Sequence, residues 1–161
     1  MKGNKMKLYI KQEVFTWADR FYVYDAGENV LFSAEGEIFS WGKKLHVYDA
    51  RGGETAYIEQ QLLTFLPRYN IYIHGGSVAQ IKREFTFFSP LYTVEGPGWR
   101  VEGDFLAHDY QITCNGRVVA VMHKEWLTWG DCYEIDVFSD RDVVMALCVM
   151  LAIDCIMAQA I

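Results

Sequence analysis

The stretch SDRDVVMALCVMLAIDCIMAQAI, Ser139 to Ile161, decides how this chain is read. From Val143 to Ile153 it is apolar without interruption, and the apolar residues fall on every helical face: Val143, Leu147 and Leu151 on one, Met145, Val149, Ile153 and Ile156 on the others. A helix at a protein surface shows a polar stripe; one without it must be surrounded by protein. Ser139 is expected at the N-cap with Asp142 three residues on, a near relative of the capping box, and acidic residues there favour the positive end of the helix dipole. The predicted helix covers about 140–159. Its uninterrupted apolar run is the length of a buried core helix and falls short of the ~20 residues that cross a bilayer. Asp154 would also cost about 2.5–3.5 kcal/mol near the middle of a span. The expectation is a helix buried in its own domain and no transmembrane segment. Asp154 then emerges at the edge of that domain or is buried and hydrogen-bonded, a structural role in either case, because an unpaired buried carboxylate is costly or protonates.

Upstream, from about Lys7 to Phe138, short alternating or β-branched runs are separated by Gly, Asn and Asp, the signature of strands and hairpins. Strands are predicted near Lys7–Gln12, Arg20–Tyr24, Val30–Ile38, Lys44–Tyr48, Glu54–Leu63, Asn70–His74, Ser77–Glu84, Leu91–Glu95, Arg100–Gly103, Ala107–Cys114, Arg117–Glu125 and Cys132–Phe138. Asn115-Gly116 supplies the left-handed positions of a type I′ turn, and Gly75-Gly76 is expected to do the same. In the longer loops Asp25–Asn29 and Asp49–Glu54, an Asp can close an Asx-turn. Gly96-Pro97-Gly98 is a further break.

These hairpins echo one another. YNIYIHGGSVAQIKRE (Tyr69–Glu84) aligns without gaps on YQITCNGRVVAVMHKE (Tyr110–Glu125), and looser versions recur in FYVYDAGENVLFSAE and LHVYDARGGETAYIEQ. A hairpin cannot bury its apolar face alone, so repeated hairpins imply a sheet that closes or stacks on itself. An eight-stranded barrel is just filled by its own side chains, whereas about twelve strands leave a bore. A helix of ~20 residues is ~30 Å long, comparable to such a bore. The fold class that satisfies both is mostly β with one buried helix: a twelve-stranded β-barrel enclosing the hydrophobic C-terminal α-helix, a single domain over 1–161.

Composition sets the outer limits. The chain has 161 residues, 52% of them hydrophobic, with ten Phe, ten Tyr, five Trp and only three Pro, which excludes disorder, a collagen-like rod and a Pro-rich linker. The formal charge of −6 lacks the global positive field that nucleic-acid binding needs. No apolar stretch of signal-peptide length follows the basic start MKGNKMKLYIKQE, so the expected location is cytoplasmic. Cys114, Cys132, Cys148 and Cys155 form no C-x-x-C pair and are expected to be reduced, mostly buried thiols.

The segment DCYEIDVFSDRDVVMALCVMLAID (Asp131–Asp154), KLYIKQ (Lys7–Gln12) and the two DAG and DARG turns resemble the LURP-one-related family over nearly the whole chain. That family is similar in fold to the Tubby C-terminal domain and the phospholipid scramblases, which implies a twelve-stranded barrel around a buried C-terminal helix. Tubby domains are associated with phosphoinositide headgroups through basic residues; no Tubby lipid-binding motif matches here. The nearest basic candidates by composition are Lys43-Lys44, Lys82-Arg83 and Lys124, with solubilising charge on outward strand faces as the plainer explanation. Of these, Lys82, Arg83 and Lys124 are the headgroup-binding candidates, and Ser139, Asp142 and Asp154 the structural residues of the helix. Scramblases are associated with a cysteine-rich acylation site, an acidic calcium segment and a membrane-inserted helix. No cysteine cluster exists here, and Asp131–Asp142 has Tyr133, Ile135 and Asp136 where an EF-hand loop needs two oxygen ligands and Gly. Glu134 and Asp136 instead alternate with Tyr133, Ile135 and Val137, as the polar outer face of a strand.

No residue pattern calls for chemistry. His46, His74, His108 and His123 show no metal-ligand spacing, with Asp49 and Asp109 as expected neighbours; no serine lies in G-x-S-x-G; neither Gly-Gly pair opens a helix as a phosphate loop does. Neither a catalytic residue, a metal nor a cofactor is expected. Trp17, Trp41, Trp99, Trp126 and Trp129 sit around predicted turns and strand ends, either as an exposed rim for a membrane or partner or as plugs of the barrel ends. The leading expectation is a soluble, non-enzymatic binding or scaffold module for an anionic lipid headgroup or a protein partner. The alternatives are a scramblase-like membrane-associated protein and a barrel that binds a small molecule.

Overall fold

A computed structural model describes residues 4–13, 20–37, 39–125 and 132–159. Twelve strands follow in order: β1 (Met6–Glu13), β2 (Arg20–Tyr24), β3 (Val30–Gly36), β4 (Lys44–Asp49), β5 (Glu54–Gln60), β6 (Arg68–Ile73), β7 (Gly76–Arg83), β8 (Tyr92–Glu95), β9 (Trp99–Asp104), β10 (Asp109–Cys114), β11 (Arg117–Glu125) and β12 (Cys132–Val137). Each is antiparallel to its sequence neighbours, and β12 returns to β1 with Leu8 opposite Ile135, closing a barrel. A 3₁₀ turn, Asp140–Asp142, leads into α1 (Val143–Gln159). The fold is the expected barrel around a helix. Two strands were expected to run further, Val30–Ile38 and Glu54–Leu63. The first ends at Gly36, with Ile38 outside the described residues, and the second ends at Gln60.

Alternation places one row of each strand inside. Leu8, Ile10, Val23, Val47, Ile71 and Ile135 are fully buried against the helix, whose residues from Ala146 to Ile153 are buried in turn. Burial keeps the helical thiols of Cys148 and Cys155 protonated, pushing each up to about 12. All four cysteines are free. Together with the 3₁₀ turn the helix runs Asp140–Gln159, long and apolar enough by composition to cross a membrane. Counting only the uninterrupted apolar run understates it. Its cover of barrel strands, and not its length, is what marks it as a core helix.

The four echoing hairpins share a structural detail as well as a sequence pattern. Their strand registers shift between Val23 and Tyr24, Val47 and Tyr48, Ile71 and Tyr72, and Ile112 and Thr113, the equivalent position each time. Such bulges bend a strand and add twist, which helps a sheet close. One turn falls a residue earlier than expected, at the positions equivalent to Asn115-Gly116 in the repeat. Ile73 pairs with Gly76, so the left-handed pair is His74-Gly75 (φ 49° and 79°), one residue earlier than the expected Gly75-Gly76. Asn115-Gly116 takes the same conformation (φ 51° and 79°) as expected. In the longer loops Asp25 Oδ1 accepts the N–H groups of Gly27 and Asn29, and Asp49 Oδ1 those of Arg51 and Gly53, closing the two Asx-turns.

Two expectations need correction. Ser139 occupies the N-cap position of the 3₁₀ turn, but its hydroxyl caps nothing: the Asp142 N–H donates to the Ser139 backbone carbonyl at 3.0 Å, so the tight turn satisfies itself. Asp142 lies beside Arg141 Nε at 4.0 Å. The outer row of β12 is polar but not open: Glu134 and Asp136 are buried beneath Lys7, which ion-pairs with Glu134, and Lys5, which reaches Asp136 at 2.9 Å.

Because the helix is the core, truncating it should cost what core truncation costs. Leu147→Ala is expected to lower unfolding stability by about 3 kcal/mol, within the usual range of about 2–5. Urea denaturation measures it as a lower midpoint at unchanged slope. A loss under about 0.5 kcal/mol, the level of a surface change, would contradict the enclosed helix.

Candidate functional site

Consecutive strands alternate in direction, so the connections after β3, β5, β7 and β9 open at one end of the barrel and those after β2, β4, β6, β8 and β10 at the other. The helix enters at the second end and finishes at the first. There the Gln159 side-chain amide exchanges hydrogen bonds with Gln60 at the end of β5, and Tyr69 Oη donates to Gln159 Oε1 at 3.2 Å.

The two ends differ in chemistry. At the second end the turns are tight or closed by Asx bonds. At the first, four loops hold out large apolar side chains: Phe39 and Trp41 after β3, Leu63 and Phe65 after β5, Phe85, Phe87 and Phe88 after β7, and Leu106 after β9. Phe39 and Phe88 are each 99% exposed and Phe65 95%. The loops have defined conformations. Ser40 Oγ donates to the Gly42 carbonyl, Thr86 Oγ1 to that of Ser89 at 2.7 Å, and the Phe85 and Phe87 rings meet edge to face at 5.4 Å. Isolated exposed apolar side chains are ordinary, but a set gathered at one end marks a contact surface.

The tryptophans do not form that rim as a group. Trp41 belongs to it, Trp99 is buried at the opposite end, and Trp17, Trp126 and Trp129 lie outside the described residues. Phenylalanine and leucine carry the rim instead. Their signal lay in Leu62-Leu63-Thr64-Phe65 and Phe85-Thr86-Phe87-Phe88, apolar runs that break the alternation of the strands before them.

The basic candidates are not brought together. Lys82 lies on the outer wall of β7 and is held by Glu95 at 2.6 Å and Glu84 at 3.7 Å. Arg83, the next residue, stands opposite Tyr92 and lines a groove at the mouth. Lys124, its counterpart in the repeat, stands opposite Tyr133 on β11, with β8, β9 and β10 between. The groove, about 560 Å³, runs between the β7–β8 and β9–β10 loops; Phe88, Tyr92, Phe105 and Leu106 wall it, and Met157 of the last helical turn closes it from inside.

Asp154 lies one helical turn below Met157. Its side chain is 13% exposed, Oδ1 has no hydrogen-bond partner among the described residues, and His108 Nδ1 stands 3.8 Å from it. Burial pushes its pKa up to about 7. Tyr110 Oη close by is also buried and unpartnered, and burial, with Asp154 adding to it, holds that phenol well above its ordinary value. Asp154 is thus buried at the edge of the core, as one of the two expected placements has it, but without the expected hydrogen bond to Oδ1.

The other histidines serve elsewhere. His123 meets Asp109 at 3.3 Å, as expected. His46 on the outer wall has Glu37 and Glu54 at 2.8 Å on its two ring nitrogens instead of Asp49, which is engaged in its own turn. Partial burial opposes its charge, but the two carboxylates outweigh that and hold the imidazole above its usual pKa. Among the described residues no group of His, Cys, Asp and Glu is arranged to hold a metal ion.

Asp154 makes stability depend on pH in a direction opposite to that of an ordinary surface carboxylate. Its folded pKa of about 7 stands above the unfolded 3.8, so the folded chain binds more protons between these values and loses stability as pH rises through them. Asp154→Asn is expected to flatten that slope and to be the more stable form above pH ~7, by at most about 4 kcal/mol at ~1.4 kcal/mol per pKa unit. Urea unfolding of both proteins near pH ~5 and ~8 measures it. Equal slopes would mean that the carboxylate is solvated in the folded chain.

The comparisons with known proteins agree with this architecture. The family model described as LURP-one-related matches residues 6–154. The Bacillus subtilis (strain 168) protein YxjI, itself uncharacterized, is 33% identical over 152 residues, 94% of this chain and 94% of that one. An Arabidopsis thaliana protein of known X-ray structure superposes with a TM-score of 0.65 at 18% identity, covering 91% of this chain and 89% of its own, a likeness of fold. With a matched model reaching from the first strand into the last helix, and a closed barrel to carry it, this chain belongs to the LURP-one-related family.

Proposed function

We propose that the protein is a non-enzymatic binding module that seats the helix-C-terminal mouth of its barrel on an anionic membrane, from the cytoplasmic side. The observation that carries this reading is the set of exposed Phe, Trp and Leu side chains on four loops of a single barrel end. Each loop holds its apolar tips separately. A bilayer interface takes up such tips without a matching surface, whereas a protein partner would need complementary contours around all four. Tryptophan, as at Trp41, favours the headgroup level of a membrane, and Phe and Leu the hydrocarbon just below it. Full burial of a Phe or Leu side chain gains about 1.5–3 kcal/mol, so partial insertion of several tips yields useful affinity.

Local charge adds to the attraction. Lys43, Arg68, Arg83 and Lys124 lie at or just below the rim, and a basic side chain near an anionic surface contributes about 1 kcal/mol. The rim end also carries Glu37, Glu59, Glu84, Asp104 and Asp109, and the far end carries Asp25, Glu28, Asp49 and Asp140 beside Arg51, Arg117 and Arg141. Attraction to an anionic surface therefore rests on these local basic side chains among carboxylates, in a chain of net charge −6, and the apolar tips choose the end.

A scramblase-like reading has one observation in its favour, the length and apolar character of Asp140–Gln159. Withdrawing that helix into a bilayer would empty the bore and strip the inward strand rows of their packing. The peripheral reading keeps the core intact.

Flotation with vesicles of phosphatidylcholine alone, or with phosphatidylglycerol added, tests the proposal. The protein is expected to float with the anionic vesicles and to lose binding at high salt. The double variants Phe87→Ser/Phe88→Ser and Phe39→Ser/Trp41→Ser are each expected to weaken binding about tenfold or more, a loss of ~1.4 kcal/mol. Binding that ignores lipid charge and salt, or survives both variants, overturns the reading. Transbilayer movement of labelled lipid in the same vesicles would favour the scramblase-like alternative.

A further inference from the structure

We infer that the groove at the mouth of the barrel is a site for one long-chain carboxylate, held with its tail against Met157 and Phe105 and its carboxylate on Arg83. The inference uses the same mouth as the membrane reading but requires no bilayer: it concerns a single amphiphile taken from solution. A bore filled by a helix leaves no room for a ligand inside the barrel, but the groove lies outside the bore, where the helix ends. Its volume, about 560 Å³, is that of an ordinary small-molecule pocket, and its walls are apolar and aromatic. The wall residues Tyr92 and Phe105 continue into Tyr110 as an aromatic cluster, Tyr92 edge-on to Phe105 at 4.9 Å and Phe105 tilted against Tyr110 at 5.0 Å between ring centroids. Gly103, in the lining, lets β9 and β10 approach closely there: a Cβ would fall 2.5 Å from the Asp109 carbonyl oxygen and the Tyr110 Cα, at φ 146°.

The charges in the groove select the ligand. Arg83 is its cation, and among the described residues no carboxylate lies within ion-pair distance of the guanidinium, whereas Lys82 beside it is held by two. Asp104 stands on the opposite lip, where its Oδ1 accepts the Ala107 N–H at 3.0 Å; as a second charge in the groove it repels an anion and confines the ligand's carboxylate to the Arg83 side. One guanidinium matches one carboxylate with two parallel hydrogen bonds. A phosphate monoester, carrying nearly two charges, would be left half neutralised. The polarity of the helix fixes the direction. The negative end of its dipole lies at Met157–Gln159, which repels an anion and leaves that side to the hydrocarbon. Beneath the floor, Asp154 Oδ1 and Tyr110 Oη, without hydrogen-bond partners among the described residues, bring no positive charge, and His108 Nδ1 faces Asp154 at 3.8 Å, so Arg83 is the anchor.

Titration calorimetry of the full chain with monomeric dodecanoate, dodecanol and dodecyltrimethylammonium, without vesicles, tests this. Dodecanoate is expected to bind once per chain, and Arg83→Gln to weaken it about tenfold or more, the scale of a charge-assisted pair. Arg83→Lys should recover part of that loss, and Lys82→Gln should leave binding unchanged. An unchanged thermal melt of Arg83→Gln separates lost contact from lost fold. No dodecanoate binding, equal binding of the cationic amphiphile, or binding indifferent to Arg83→Gln overturns the inference. Flotation of the unaltered protein, set beside its dodecanoate titration, tells the two readings apart. If dodecanoate binding fails while the protein still floats, the groove site is wrong and the docking surface stands; if flotation fails while dodecanoate binds, the reverse holds.

Discussion

A helix with no polar face has to be covered on every side, and the rest of the structure follows from that requirement. Two helices could cover only part of it. A closed antiparallel sheet covers all of it, and closure also removes the free strand edges that an open sheet would expose. Buried rows from β1 to β12 meet buried residues on every side of α1, so sheet and helix supply each other's core. Neither has a stable surface alone.

The wall is made by one device used several times. Four hairpins carry the same alternation and the same register shift, at Val23, Val47, Ile71 and Ile112, and the bends these introduce turn a flat meander into a closed one. The closing seam between β1 and β12 is reinforced outside by Lys5 and Lys7 over Asp136 and Glu134. Acidic side chains that look solvated in a strand pattern are there sheltered by lysines from the neighbouring strand.

Threading the helix through the barrel makes the two ends unequal. At one end the chain turns tightly and the helix begins with a self-satisfied 3₁₀ turn. At the other the helix stops, its last turn becomes the floor of a groove, and longer loops carry the exposed aromatics. Asp154 marks the boundary between the dry bore and that mouth, and its unpartnered oxygen shows that core and surface meet there without complete compensation.

Most of the fold was legible in the sequence, for local reasons. Period-two alternation placed the strands within a few residues, and the unbroken apolar run placed the helix, because side-chain direction along a strand or helix is a property of the backbone. The failures were also physical. Gly75-Gly76 looked like the turn, but Gly76 is paired with Ile73, so His74 takes the left-handed position that Asn115 holds in the equivalent hairpin. Ser139 looked like a cap, but its backbone carbonyl, and not its hydroxyl, accepts the Asp142 N–H. The site was much less legible. Arg83 and Lys82 are adjacent in sequence, yet one lines the groove and the other is neutralised on the outer wall. Phe39, Phe65, Phe88 and Leu106 lie in four separate loops, and nothing local relates them. That a helix must be enclosed, and that hairpins enclose it, follows from local patterns, since each pattern carries its own demand for burial. Which side chains stand together at the mouth is a matter of the closed barrel, because an antiparallel meander sends every second connection to the same end.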